Sequence, residues 1–235
     1  INKNEITSIT KKNRDKIVAS LLRTELEKDL GLTGFGPDVS IMRNTLIRPG
    51  IFENTDNPKI NIIPKEDKAH LFPLLNEIED FIQIAKQYGE LSFSKLYKNL
   101  TEKDKKIGAR KGLIPIYLAC VFSKYKKEIS ILHKENNVLL NAQTISDLNE
   151  SPELYSLKYL EWDKEKDEYI EALENIFSAT INQNEKENNS YDCVAFAMER
   201  WYLSLPKYTR EKKLNVEKTY SDFLKQLKQN YGSQK

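Results

Sequence analysis

Residues 105–127, KKIGARKGLIPIYLACVFSKYKK, predict the central element of the fold. No charged residue occurs from Gly112 to Phe122, so a helix formed there is apolar on every face. Such a helix is buried in a protein or in a membrane, and a run of about eleven residues is too short to span a bilayer. We therefore predict that residues 113–122 form the core helix of a small domain.

The patterns on both sides of this run are typical of a winged helix-turn-helix. Apolar residues recur at helical spacing over 71–88, and Ser92 can cap a second helix over 93–100. After the core helix, two short apolar segments at 128–134 and 138–140 flank an asparagine-bearing turn and predict a β-hairpin. Three helices followed by a hairpin is the order of a winged helix-turn-helix.

Further helical segments are predicted on both sides of this module. Residues 11–30 and 38–47 carry apolar residues at helical spacing around a glycine-rich turn and predict a helical hairpin. The predicted fold is mainly α (α+β), with helical segments at 1–71 and 163–235 around a winged-helix-like module at 72–162 whose wing is the β-hairpin. The remaining predicted elements are a helical turn at 146–152, a strand at 155–162, a polar linker at 181–190, and helices at about 163–179, 192–205 and 216–231.

The composition limits the class of protein. The net charge of +2 gives no global attraction to nucleic acid or membrane, so any such attraction has to come from local segregation of charge. Two cysteines fit a reducing compartment, and Cys120 is predicted to be a small buried hydrophobic residue. The sequence shows no signal peptide or transmembrane stretch, which predicts a cytoplasmic protein without membrane contact. Because it begins at Ile1 rather than at a methionine, we expect an excised piece of a longer polypeptide.

Charge is strongly segregated in the middle of the chain. The stretch from Lys95 to Lys127 has a net charge of +8, whereas Glu128 to Glu174 has a net charge of −8. Basic side chains at the start of the core helix can join the helix N-terminal amides in binding phosphate. A solvated charged surface produces the same pattern, and the sequence leaves both interpretations open. The predicted nucleic-acid-binding residues are Lys105, Lys106, Arg110, Lys111, Lys124, Lys126, Lys127 and Lys134.

The core helix is not suited to reading base sequence. A recognition helix needs polar side chains that project from several turns into the major groove. Here the candidate exposed positions end at Lys111, where the apolar run begins. The sequence therefore predicts contact with the nucleic-acid backbone rather than sequence-specific recognition.

Signals for catalysis are weak. His70 and His133 show no metal-ligand spacing, and Cys193 beside Asp192 needs His133 close by to act as a nucleophile. The glycines of 108–112 lack the spacing and the Ser/Thr of a phosphate-binding GxxxxGK[ST] loop. We predict no catalytic residue, no metal ion and no cofactor for this chain.

Four short segments resemble a known family. They are SKLY at 94–97 with IGARKGLIP at 107–115, SPELYSL at 151–157, and WYLSLPKY at 201–208. In this order they are similar to the region that follows the nucleotide-binding module in large bacterial P-loop ATPases, including those of phage-defence and restriction systems of the BREX kind. The resemblance implies a parent protein that hydrolyses ATP. The phosphate-binding residues of such ATPases have no counterpart here, and none is assigned.

The expected function follows from these observations together. We expect a non-catalytic module of a larger bacterial ATPase whose partners are duplex DNA, contacted through its phosphates, and the rest of the ATPase or its subunits. A freestanding winged-helix DNA-binding regulator and a pure protein–protein interaction module are the alternatives. An enzyme that uses Cys193 or His133 is the third.

Overall fold

The chain forms two compact units, Ile1–Trp162 and a second unit that begins at Asp163. The computed structural model describes residues 1–102, 107–182, 185, 190–211, 222, 223, 225 and 226. A mainly helical fold with small antiparallel sheets is confirmed. The three-part division at residues 71 and 162 stays a prediction, and the core of the first unit includes residues from both sides of position 71.

The first unit contains six α-helices and two sheets in its described residues. Its helices are α1 (Ser8–Leu21), α2 (Pro37–Met42), α3 (Phe72–Tyr88), α4 (Phe93–Thr101), α5 (Ile114–Lys124) and α6 (Ala142–Glu150). Its strands are β1 (Phe52–Glu53), β2 (Lys59–Ile60), β3 (Glu90–Ser92), β4 (Ile129–His133), β5 (Asn136–Val138) and β6 (Tyr155–Tyr159).

Helix α5 is the centre of the core, as predicted. Every residue from Ile114 to Phe122 is buried, and the helix packs against α1, α3 and α6. Pro115 lies in the first turn, where its missing N–H breaks no helical hydrogen bond. The predicted burial of Cys120 is also confirmed, and this burial raises the pKa of its thiol.

Helix α1 is shorter than predicted. The sequence predicts a helix over 11–30, but α1 ends at Leu21, and Asp29 and Leu30 adopt positive φ angles of 51° and 53°. Asn54 stabilises this turn because its Oδ1 accepts a hydrogen bond from the Asp29 N–H at 2.7 Å and its Nδ2 donates one to Asp29 Oδ1 at 2.8 Å. Leu30 is buried in the core, but it lies in this turn and not in an α-helix.

Helix α2 continues into one wider turn before it stops at Pro49-Gly50, as predicted. Residues Arg43–Ile47 form a π turn, and the Arg48 N–H donates to the Arg43 carbonyl, five residues earlier, at 2.9 Å. Single π turns inside helices are rare and often occur at functional sites. We refer to Arg43–Ile47 below as the π turn.

The predicted β-hairpin and the strand after it are confirmed in a four-stranded sheet. Its strand order is β3-β6-β4-β5, with all pairs antiparallel. Lys134 and Glu135 connect β4 to β5 with φ angles of 47° and 72°, the signs that a type I′ turn requires. The helical turn predicted at 146–152 is part of a full helix, α6, which Asn141 caps by accepting a hydrogen bond from the Thr144 N–H at 2.9 Å.

The second unit is helical in its described residues. Its helices are α7 (Lys164–Ile176), α8 (Ser190–Ser204) and α9 (Lys207–Glu211). Asp163 caps α7 as predicted, and the rings of Phe177 and Trp201 meet edge to face at 5.5 Å between centroids. Most of the predicted helix at 216–231 and much of the linker at 181–190 lie outside the described residues.

One ion pair of the second unit is partly buried, with the Arg200 side chain 34% exposed and the Glu185 side chain 11% exposed. Arg200 on α8 binds both carboxylate oxygens of Glu185, at 2.8 and 2.5 Å, and donates from Nε to the Thr180 carbonyl at 2.8 Å. Burial acts to raise the pKa of Glu185, but the hydrogen bonds from Arg200 and Asn182 outweigh it and the pKa is lowered. The ionised carboxylate is therefore the form that the folded unit favours.

We expect Glu185→Gln to destabilise the second unit near neutral pH by about 1–2 kcal/mol, because a charge-assisted pair is lost. The pKa of Glu185 is lower in the folded unit than in the unfolded chain. The stabilisation by this ion pair is therefore complete above the unfolded pKa of Glu185 and is lost as the pH falls through its folded pKa. Hydrogen exchange of α8 amides from about pH 6 to about pH 3 measures this dependence. The exposed Glu171→Gln is the control, and equal acid sensitivity in both variants would contradict the assignment.

Candidate nucleic-acid interface

Helix α5 separates the predicted phosphate-binding residues into groups. Arg110 and Lys111 precede its first residue, whereas Lys124, Lys126 and Lys127 lie at or beyond its last residue. A rise of 1.5 Å per residue places the two groups roughly 16 Å apart along the helix axis. Lys134 lies in the hairpin turn. Lys105 and Lys106 lie outside the described residues.

The backbone at the start of α5 contacts the first residues of the chain. The Gly112 N–H donates to the Lys3 carbonyl at 2.9 Å, and the Lys111 N–H donates to Asn4 Oδ1 at 3.3 Å. A Cβ atom on Gly112 would lie 2.3 Å from the Ile1 carbonyl oxygen, so glycine permits this close approach. These two amides are already satisfied. Phosphate binding at this end of α5 therefore depends on side chains, of which that of Arg110 is exposed.

The side chain of Lys126 has a structural role within the first unit. Its Nζ donates to the carbonyls of Leu22 and Arg23 at the C-terminus of α1. The last carbonyls of a helix carry partial negative charge, so an ammonium group there stabilises the helix end. This contact joins residues about one hundred positions apart, and the sequence gives no local signal for it.

The charge of Lys124 is partly balanced. Its Nζ lies 3.7 Å from Glu79 Oε1 and 5.9 Å from the centre of the Tyr125 ring. The Tyr125 hydroxyl donates to the same Glu79 oxygen at 2.7 Å, and burial together with this carboxylate raises the pKa of Tyr125 to about 12. Lys127 has an exposed side chain in the turn that follows.

Lys134 is exposed at the tip of the hairpin. Its N–H donates to the Leu154 carbonyl at 3.1 Å, which fixes the backbone of the turn. The neighbouring Glu135 is also exposed, so an acid accompanies this base. Of the predicted residues that the structure describes, four combine exposure with a position at the ends of α5 or in the hairpin turn: Arg110, Lys124, Lys127 and Lys134.

Two arginines that were not predicted as site residues lie together, Arg43 at the start of the π turn and Arg48 directly after it. Arg43 and Arg48 line one cleft with the exposed ring of Phe35. In a regular α-helix, residues five positions apart point about 140° away from each other, so helical spacing does not predict this pairing. The sequence carries no signal for this pairing, because the wider turn, and not the spacing in the sequence, brings Arg43 and Arg48 to the same side.

The histidines and Cys193 were the candidate catalytic residues, and each is either packed against other side chains or exposed to solvent. The His133 ring lies against the Tyr155 ring at 4.8 Å between centroids, and His70 is exposed. Cys193 is buried in the second unit. Within the described residues, no group of three or more His, Cys, Asp and Glu side chains could hold a metal ion. The absence of catalysis stays a prediction.

Comparison with protein-family models, with curated proteins and with solved structures finds no match to this chain. The resemblance to P-loop ATPases of the BREX kind therefore stays a prediction. None of the described helices has both the length and the apolar character to cross a bilayer.

Proposed function

We propose that this chain is a non-catalytic module of a larger bacterial ATPase, cytoplasmic, with a winged-helix-like part that contacts duplex DNA through its phosphates. The element order α3, β3, α4, α5, then the β4–β5 hairpin supports the winged-helix interpretation. The proposal that the chain belongs to a larger ATPase is supported by a resemblance to phage-defence ATPases at residues 94–115, 151–157 and 201–208.

The burial of α5 over all but its last two residues is the observation that carries the proposed mode of contact. A helix that reads bases needs exposed polar side chains over several turns, and α5 is buried from Ile114 to Phe122. Among the predicted phosphate-binding residues that the structure describes, those with exposed side chains lie at the two ends of α5 and at the hairpin tip. Such residues can neutralise phosphates but cannot distinguish base pairs.

Duplex binding is expected to depend steeply on salt and little on sequence. The double variant Arg110→Glu/Lys111→Glu should weaken binding about tenfold or more and make the slope of log K against log salt about 2 units shallower. Fluorescence anisotropy with a labelled duplex at several salt concentrations measures both quantities. The variant Lys12→Glu/Lys59→Glu is the control, because it makes the same charge change at two exposed sites.

Two outcomes would change this proposal. Equal loss in both double variants would show a general charge effect rather than a site at Arg110 and Lys111. No binding of the native chain at low salt would leave protein partners as the function.

Contact with other subunits of the ATPase is the second candidate, and an apolar groove favours it. The groove has a volume of about 400 Å³ and includes Ile63 and Phe72, whose side chains are 64% and 46% exposed. Large exposed apolar side chains grouped at one place are typical of protein contact sites.

The gene itself tests membership of a larger ATPase. We expect its reading frame to extend upstream of Ile1 and to encode a GxxxxGK[ST] loop. A frame that starts near Ile1 would contradict the module and favour a freestanding DNA-binding regulator.

A further inference from the structure

A cleft of about 180 Å³ lies where α2 meets the π turn. None of the residues assigned to duplex contact lines it. Its lining residues are Phe35, Val39, Ser40, Arg43, Asn44 and Arg48.

The Phe35 ring is open to solvent beside this cleft. Its side chain is 96% exposed, and it lies between Gly34, which has a positive φ of 83°, and Gly36, which precedes α2. A single exposed aromatic residue is ordinary. An aromatic face beside two guanidinium groups is different, because bases stack on such faces while cations bind the phosphates.

The π turn brings the two arginines to one side of the helix. The hydrogen bond from the Arg48 N–H to the Arg43 carbonyl spans five residues, so residues 43 and 48 lie one turn apart. Arg48 Nη1 donates to Asn44 Oδ1 at 2.6 Å, and Asn44 Nδ2 donates to the Ser40 carbonyl at 2.8 Å. The guanidinium of Arg48 is thus held in place before any ligand binds.

No acidic residue is among those that line the cleft in the described part of the chain. Within the described part of the chain, Arg43 makes neither an ion pair nor a side-chain hydrogen bond. Asp38 is the acidic residue of α2, and its carboxylate binds Lys16 Nζ at 3.2 Å and the Val39 N–H at 3.0 Å. An anionic group is therefore the ligand that this cleft favours, and planar guanidinium groups bind phosphate in a bidentate manner.

We propose that this cleft binds a nucleobase together with its phosphate, with the base stacked on Phe35 and the phosphate between Arg43 and Arg48. Pockets that enclose a whole small molecule have volumes of roughly 300–1,000 Å³. This cleft is smaller, so most of the ligand stays in solvent, as it does when a single strand passes over a surface. The inference uses residues separate from the duplex site and does not depend on the proposed function.

Binding of a labelled oligothymidine of about 12 nucleotides tests the inference. Phe35→Ala should weaken binding about tenfold, because stacking on the ring is lost. Phe35→Trp should retain binding, and the emission of the new tryptophan should be quenched as the oligonucleotide is added. Arg43→Glu should weaken binding of the same strand at low salt. Tyr88→Ala and Lys12→Glu are the controls, because both change exposed side chains outside the cleft.

The outcomes separate the ligand sources and the two sites. Thymidine monophosphate that competes as well as the oligonucleotide would assign a free nucleotide, whereas much weaker competition would assign a single strand. Inorganic polyphosphate, which has no base, should bind without sensitivity to Phe35.

Oligonucleotide binding that is unchanged in Phe35→Ala, with no quenching in Phe35→Trp, would overturn the inference. Since Phe35 is exposed, its replacement removes no core packing. The Arg110→Glu/Lys111→Glu variant should retain the Phe35-dependent quenching, so the two proposals can fail separately.

Discussion

Phe122→Ala is expected to lower the free energy of unfolding of the first unit by about 3–5 kcal/mol. The Phe122 side chain is fully buried in the last turn of α5. Its ring lies 6.1 Å from the ring of Phe93 on α4, which in turn lies 5.3 Å from the ring of Phe81 on α3. Truncation would open a cavity where three helices meet, and close packing allows only partial relaxation.

Hydrogen exchange of α5 amides measures this loss for the first unit alone. Phe72→Ala is the matched control, because this ring at the start of α3 is 46% exposed and its loss should cost about 1 kcal/mol. Similar losses in the two variants would contradict the central position of α5 in the core.

Arg14→Met is expected to destabilise the first unit by about 2–3 kcal/mol. Arg14 is only 1% exposed, and its Nη2 lies 2.9 Å from Ser146 Oγ on α6 and 2.8 Å from Asp15 Oδ1. Methionine keeps most of the side-chain length but leaves the buried Ser146 hydroxyl without this partner. The Asp15 side chain is 25% exposed, so water takes over part of its solvation and limits the cost.

A double-mutant cycle with Ser146→Ala isolates this contact. We expect a coupling energy of about 1.5–2 kcal/mol between positions 14 and 146, within the range for a hydrogen bond to a charged group. Lys12→Met on the exposed side of α1 should change stability by less than about 0.5 kcal/mol. A coupling energy near zero would show that the buried guanidinium does not hold α1 to α6.

The sequence predicted the elements whose signals are local. The uncharged run around Leu118 predicted the buried helix, and the helical spacing over residues 71–88 predicted α3. The hairpin was predicted, but its turn lies at Lys134 and Glu135, earlier than the predicted asparagine-bearing turn, and Asn136 and Asn137 belong to β5. The end of α1 was not predictable, because Leu26 and Leu30 continue the helical spacing while Asn54 stabilises a turn there.

The candidate site was only partly predictable, for a related reason. Local counting finds the excess of positive charge, but the partners of those charges lie far away in sequence. Lys126 binds the end of α1, and Lys3 accepts the hydrogen bond of the Gly112 amide. The pair Arg43 and Arg48 depends on one wide helical turn that no periodicity indicates.

The position of β6 has a consequence for synthesis on the ribosome. This strand is the last of its sheet to be translated, yet it lies between β3 and β4, which are made earlier. Until residues 155–159 leave the ribosome, both earlier strands keep an open edge, and such edges are prone to pair with other chains. We therefore expect a nascent chain that stalls before Tyr155 to bind chaperones through these open edges. A chain that has been translated beyond Tyr159 can insert β6 between β3 and β4 and complete the sheet.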